Sequence, residues 1–257
     1  MYVARSRRVE VPDAALSDTS AWLVDVSRWD KNGGQGPFND LKLARLQFAA
    51  TLASATQARA IDNADPLLKA AELLAGLQAA DGSWQVEQSV VGSPATYGTP
   101  LATVMARQVL VLADAKRFAK NVRHADEWLG RREVKTVSEA AAMLLWADNG
   151  KAADVWLDLI RRGQAASGGW GPYVSSPPEP FDSALVLLGL TRHRKMPGVE
   201  DLIRKGRTYL LATQLDDGSW PETTRPPGGV SYAQKLSTTG WALRALIESA
   251  QSERDRR

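Results

Sequence analysis

The chain has 257 residues, with 32 Lys and Arg against 29 Asp and Glu, 44% hydrophobic residues, nine Trp, 20 Gly, 13 Pro and no Cys. Such a composition builds one or two folded domains with a sizeable core, and it excludes a disordered tail, a collagen-like fibre and a disulfide scaffold. A thiolate nucleophile, an iron–sulfur cluster and a cysteine zinc site are excluded too, and His124 and His193 are too few for a histidine-rich metal site, so no metal and no cofactor is expected.

Residues 1–12 read as an N-terminal extension, without the apolar block of a secretion signal, which tilts the expectation towards the cytoplasm or a membrane surface. Residues 13–252 read as one folded domain and residues 253–257 as a charged tail, with room for further domains in a longer parent chain. The basic pairs Arg7–Arg8, Arg131–Arg132, Arg161–Arg162 and Arg256–Arg257 are scattered among acids, so no phosphate-tracking stripe forms and nucleic acid is not an expected partner. The most apolar stretches, Ala140–Ala147 and Ala184–Leu190, are far shorter than a membrane span.

One punctuation recurs along the chain. Gly33, Gly34, Gln35 and Gly36 form a weak first copy, with Asn39–Asp40 opening the helix that follows. In the second hairpin, Asp65 reads as an N-cap and Pro66 as the first residue of a helix with Leu67, Leu68, Ala71, Leu74 and Ala75 at helical spacing, and Gln78, Gly82 and Trp84 mark its turn. A long loop, Gln85–Gly98, leads to Thr99–Pro100 and the apolar run from Leu101. The next copy, near Trp128 to Val134, is unmarked, and Ser138–Glu139 opens its second helix. Gln164, Gly168 and Trp170 mark the fourth hairpin, whose second helix opens at Asp182–Ser183. In the fifth, Leu202, Ile203, Tyr209 and Leu210 precede Gln214, Gly218 and Trp220, and Thr238–Thr239 opens the last helix. In each marked copy the Gln stands six residues before the Trp and the Gly two before it.

The pattern predicts an all-α protein of about ten helices in five hairpins, with amphipathic outer helices and buried inner ones. The Trp is a structural choice. An indole buries on the order of 150–250 Å², a gross gain of roughly 4–6 kcal/mol at about 25 cal/mol per Å², enough to fix a Gly-rich turn between neighbouring repeats. The Gln, at the end of the outer helix, satisfies helix-terminal backbone groups.

Together these residues resemble the QW repeat of the squalene-hopene and oxidosqualene cyclase family, within the terpenoid cyclase and prenyltransferase superfamily. Lys205, Gly206, Tyr209, Leu210, Gln214, Gly218 and Trp220 match the motif almost fully, and two further copies are in register. The resemblance spans roughly residues 20 to 250. It implies an α/α toroid, here a partial or five-hairpin ring, around a cavity that in the family receives polyprenyl chains. It also implies that the cyclase acid motif, Asp-x-Asp-Asp-Thr-Ala, opens an inner helix. The nearest match is Glu179 to Ala184, in which Phe181 stands where the proton donor belongs, so the motif is degenerate. The zinc site of protein prenyltransferases and the thioester of complement-type relatives both need Cys, and the Asp-Asp-x-x-Asp magnesium motif is absent.

The polar openings of the inner helices supply the candidate acids Asp182, Glu179, Asp40 and Glu139, which either cap their own helices or converge on one mouth for acid–base work. Phe181, Tyr232, Trp241 and Trp146 are the aromatic candidates for lining a cavity, with ordinary core packing as the alternative. Both histidines read as surface or helix-capping residues.

Three functions follow. The first is a cyclase-like domain binding an isoprenoid or other lipid-like ligand, with peripheral membrane contact and without the standard protonation chemistry; an enzyme of this kind would be an isomerase or lyase. The second is a non-catalytic helical-repeat scaffold for protein partners, and the third a carbohydrate-active α/α toroid.

Overall fold

Gly and Trp at the turns, and Pro or small polar residues at the helix starts, divide the described residues into helices. The computed structural model describes residues 1–32, 41–86, 98–147, 151–222 and 232–250. Among them are eleven α-helices and one 3₁₀ helix, Val26–Asn32. No helix of the described residues is long and apolar enough to cross a membrane.

The chain divides into two compact units, residues 1–93 with 97–132, and residues 94–96 with 133–257. The first holds α1 (Tyr2–Ser6), α2 (Asp13–Leu23), α3 (Leu41–Gln57), α4 (Asp65–Gly76), α5 (Gly98–Asp114) and α6 (Ala119–Gly130). Its core gathers Leu46, Leu52, Leu67, Leu74, Trp84 and Leu110, together with Trp29 of the 3₁₀ helix. Residues expected to be a bare extension contribute to it: Tyr2 of α1 is buried and its hydroxyl lies 3.0 Å from Ser20 Oγ of α2.

The second unit holds α7 (Val137–Trp146), α8 (Lys151–Gly163), α9 (Pro180–Arg192), α10 (Val199–Ala212) and α11 (Tyr232–Ser249). Here α9 is central, packed against α7, α10 and α11. All eleven residues from Pro180 to Leu190 are buried, as the unbroken apolar run predicts for an enclosed helix. Gly189 permits the closest approach, because a side chain there would press on the Ala141 carbonyl and Leu144 of α7.

The expected unmarked copy falls between α6 and α7, whose linking residues 131–136 carry no Gly-x-Trp turn. Its second helix starts on a full capping box: Thr136 Oγ1 accepts from the Glu139 amide at 3.0 Å, and Glu139 Oε2 accepts from the Thr136 amide at 3.1 Å. The helices begin one or more residues before the expected openings, as at Gly98, Val137 and Pro180. Asp65 is the first residue of α4, and Asn63 Oδ1 accepts its amide at 2.9 Å. Thr238–Thr239 lies inside α11, not at its opening, because Ala233, Gln234, Lys235 and Leu236 are helix formers and no Gly or Pro interrupts residues 232–237.

Candidate functional site

The three marked turns are built from the same bonds. Each indole N–H donates to the carbonyl four residues before the Gln: Trp84 to Leu74 at 2.7 Å, Trp170 to Ile160 at 2.8 Å and Trp220 to Leu210 at 2.7 Å. Each Gln amide donates to the carbonyl of the turn glycine at 2.9 Å. Those glycines hold φ of 98°, 94° and 80°, a region a side chain strains to enter. Each Trp backbone N–H donates to a hydroxyl of the following helix, Thr103, Ser183 and Thr239 in turn. Gln78, Gly82, Trp84, Gln164, Gly168, Trp170, Gln214, Gly218 and Trp220 thus account for one another as framework.

Two of these turns are also roofed by the next outer helix. Gln78 Nε2 donates to the Asn121 carbonyl of α6 at 2.9 Å, and Gln164 Nε2 to the Leu202 carbonyl of α10 at 3.2 Å. Gly82 abuts the backbone of His124 and Gly168 that of Lys205, so neither has room for a Cβ. Tyr209 of α10 lies against Gly169, and its hydroxyl donates to the Pro178 carbonyl at 2.8 Å.

The acid candidates separate. Asp182, in the first turn of α9, has no exposed surface, and Ser138 Oγ of α7 donates to its Oδ1 at 2.5 Å. Glu179 is the N-cap residue of α9, with an extended backbone and no side-chain capping bond. Glu139 caps α7, as above, and Asp40 lies outside the described residues. Among the described residues the second unit thus brings Ser138 and Asp182 of the expected mouth together across two helices. Burial, with the negative charges of Glu179 and Asp182, pushes the nearby Tyr209 phenol up to about 12.

Of the aromatic candidates, Phe181 and Trp241 meet edge to face with centroids 5.6 Å apart, and Phe181 is 2% exposed. Trp146, the last residue of α7, is at the opposite end of that helix from Ser138 and pairs with Trp156 at 6.3 Å. The side chain of Tyr232 lies outside the described residues. His193, expected at a surface or a cap, is the C-cap residue of α9 and is buried, with Nε2 at 2.9 Å from the Leu144 carbonyl near the end of α7.

Sequence reasoning missed a shallow, open groove of about 540 Å³ in the first unit, between the first turn and α6. Trp128 Nε1 donates to Asp81 Oδ2 across it at 3.1 Å, and the Arg132 guanidinium stands 5.0 Å over the Trp128 ring. Burial pushes the Asp81 carboxyl up, but hydrogen bonds from Ser83 and Trp128 outweigh it and hold the group below the usual range. An ionised, bonded carboxylate of this kind positions neighbours and has no proton to give. Among the described residues no cluster of three or more His, Asp or Glu is placed to hold a metal ion.

No protein-family model matches the chain. Among solved structures it is similar to the crystal structure of a protein from Actinoplanes, with a TM-score of 0.57 over 92% of this chain and 76% of that one. The two share 17% sequence identity, a level at which the likeness speaks for the helical fold alone.

Proposed function

We propose that the chain is a non-catalytic helical-repeat scaffold for protein partners. The observation that carries this reading is the sealing of α9. Asp182 is 0% exposed and Phe181 2%, within a run of eleven buried residues. A side chain lining a ligand cavity shows surface to a water-sized probe, and a proton donor must reach the atom it protonates. Asp182 is instead occupied by Ser138, and Phe181 is packed on Trp241.

A second reading, an isoprenoid-binding domain, draws on the three-fold register of the Gln-Gly-Trp repeat and its resemblance to cyclases. Solvent extraction of the purified protein, followed by mass spectrometry and by incubation with squalene and polyprenyl diphosphates, separates the two. The scaffold reading expects an extract without isoprenoid and no turnover. A stoichiometric co-purifying isoprenoid, or any cyclised product, overturns it.

A further inference from the structure

The third turn repeats the bonds of the other two, but its outer side is bare. Gly82 and Gly168 are buried, whereas Gly218 and Gln214 are exposed. Gln214 Nε2 donates to Gly218, and a Cβ built on Gly218 would meet nothing nearer than that amide, at 3.9 Å. Among the described residues, no helix occupies the place that α6 and α10 take over the first two turns. Side chains there differ in the same sense. Where the first two copies carry Ala75 and Arg161, the third carries Leu211, 57% exposed; where they carry Ala79 and Ala165, it carries Leu215, 42% exposed. Two large apolar side chains in water beside an open amide donor are features of an interface.

The covered copies show what fits. In α10, the Leu202 carbonyl takes the Gln amide, the Lys205 backbone meets the turn glycine, Gly206 lets the Trp170 ring approach, and Tyr209 lies on the turn. In α6 the same offsets give Asn121, His124, the fully buried Ala125, and Trp128, which bonds Asp81 of the turn. The consensus is a basic residue or His, then Ala or Gly, then an aromatic residue three positions further on.

We propose that the bare side of the third turn docks an amphipathic helix of a partner protein that carries this basic-small-x-x-aromatic stripe. Asp216 is exposed in the turn and favours the basic position, while Asp217 is already paired with Lys235 at 2.8 Å. A second copy of this chain is a poorer occupant. Its helix α2, aligned on Trp22, offers Asp18 and Thr19 where the consensus is basic and small, which sets a carboxylate beside Asp216 and a β-branched side chain against the Trp220 ring.

The inference rests on the scaffold reading and is tested apart from it. The probe is a fluorescein-labelled peptide with the sequence of residues 198–213, stapled on its solvent face to hold it helical, titrated against the full chain by anisotropy. Saturable binding is expected, weakened at least tenfold by Leu211→Glu with Leu215→Glu in the protein. A Gly206→Leu change in the peptide should weaken it equally and leaves the protein untouched. No saturation up to about 1 mM, or equal affinity for wild type and double variant, overturns the site. Wild-type self-association in sedimentation that the double variant abolishes makes the occupant a second copy and overturns the choice of partner. A chain that ignores the peptide and yields no isoprenoid refutes the docking site while the scaffold reading stands; one that yields isoprenoid refutes the scaffold reading, whatever the peptide does.

Discussion

The turns Gln164–Trp170 and Gln214–Trp220 hold the same indole, amide and hydroxyl bonds in very different surroundings. The first is roofed by α10, with Gly168, Gly169 and Trp170 buried; the second is exposed along most of its length. Since both keep left-handed glycines within 14° of each other, the turn is shaped by its own residues, and the roof adds stability without dictating geometry. That separation of local shape from tertiary cover can be tested by making identical changes in both turns.

Removing the indole is the largest such change. Trp170→Ala vacates a fully buried site and a ring contact with Gly206, and we expect a loss of about 3–5 kcal/mol in urea unfolding. Trp220→Ala removes the same indole bond from a site 1% exposed but without a roofing helix, and its loss should fall at the lower end of that range. A larger loss at Trp220 than at Trp170 would mean that the roof contributes nothing.

The glycines sharpen the contrast. Gly168→Ala combines backbone strain with a clash against the Lys205 carbonyl, so α10 must shift; about 3 kcal/mol is expected from strain and overpacking together. Gly218→Ala carries the strain alone, about 1 kcal/mol. Equal losses would show that the clash is relieved by movement. Smaller still is the effect at the glutamines. Gln164→Ala breaks two amide bonds and Gln214→Ala one, so their losses should differ by about 1 kcal/mol.

The same distinction explains what could be read from the sequence. Gln, Gly and Trp at fixed spacing are a local device, and all three marked turns were legible down to the residues that bond. The partners supplied from elsewhere were not. The Trp84 amide finds its hydroxyl on Thr103, 19 residues on, while the Trp170 amide finds Ser183 after only 13, because the loops between turn and helix differ in length. Ser138 and Asp182 lie 44 residues apart, and each alone reads as a helix-opening residue; only the packing of α7 on α9 makes them a pair. The cap position of His193 was legible but its burial was not, because the Leu144 carbonyl beside it is 49 residues away on another helix.

Tyr209 offers the gentlest probe, since it belongs to the roof itself. Its phenol is buried beside Gly169, donates to Pro178, and is pushed up to about 12 by that burial and by the charges of Glu179 and Asp182. The folded state therefore favours the neutral phenol. An unfolded Tyr ionises near pH 10 or so, about two units lower, so the contribution is fully present below about pH 10 and is lost as the pH climbs towards about 12. Tyr209→Phe removes both the bond and the titration. At pH 8 the wild type should exceed the variant by about 1 kcal/mol, the worth of one hydrogen bond. By pH 11 ionisation of the unfolded tyrosine should cancel roughly that amount, and the two urea midpoints should converge. Midpoints that stay apart by the same amount at both pH values would place the Tyr209 hydroxyl in water, and the roof over the second turn would then be looser than its geometry implies.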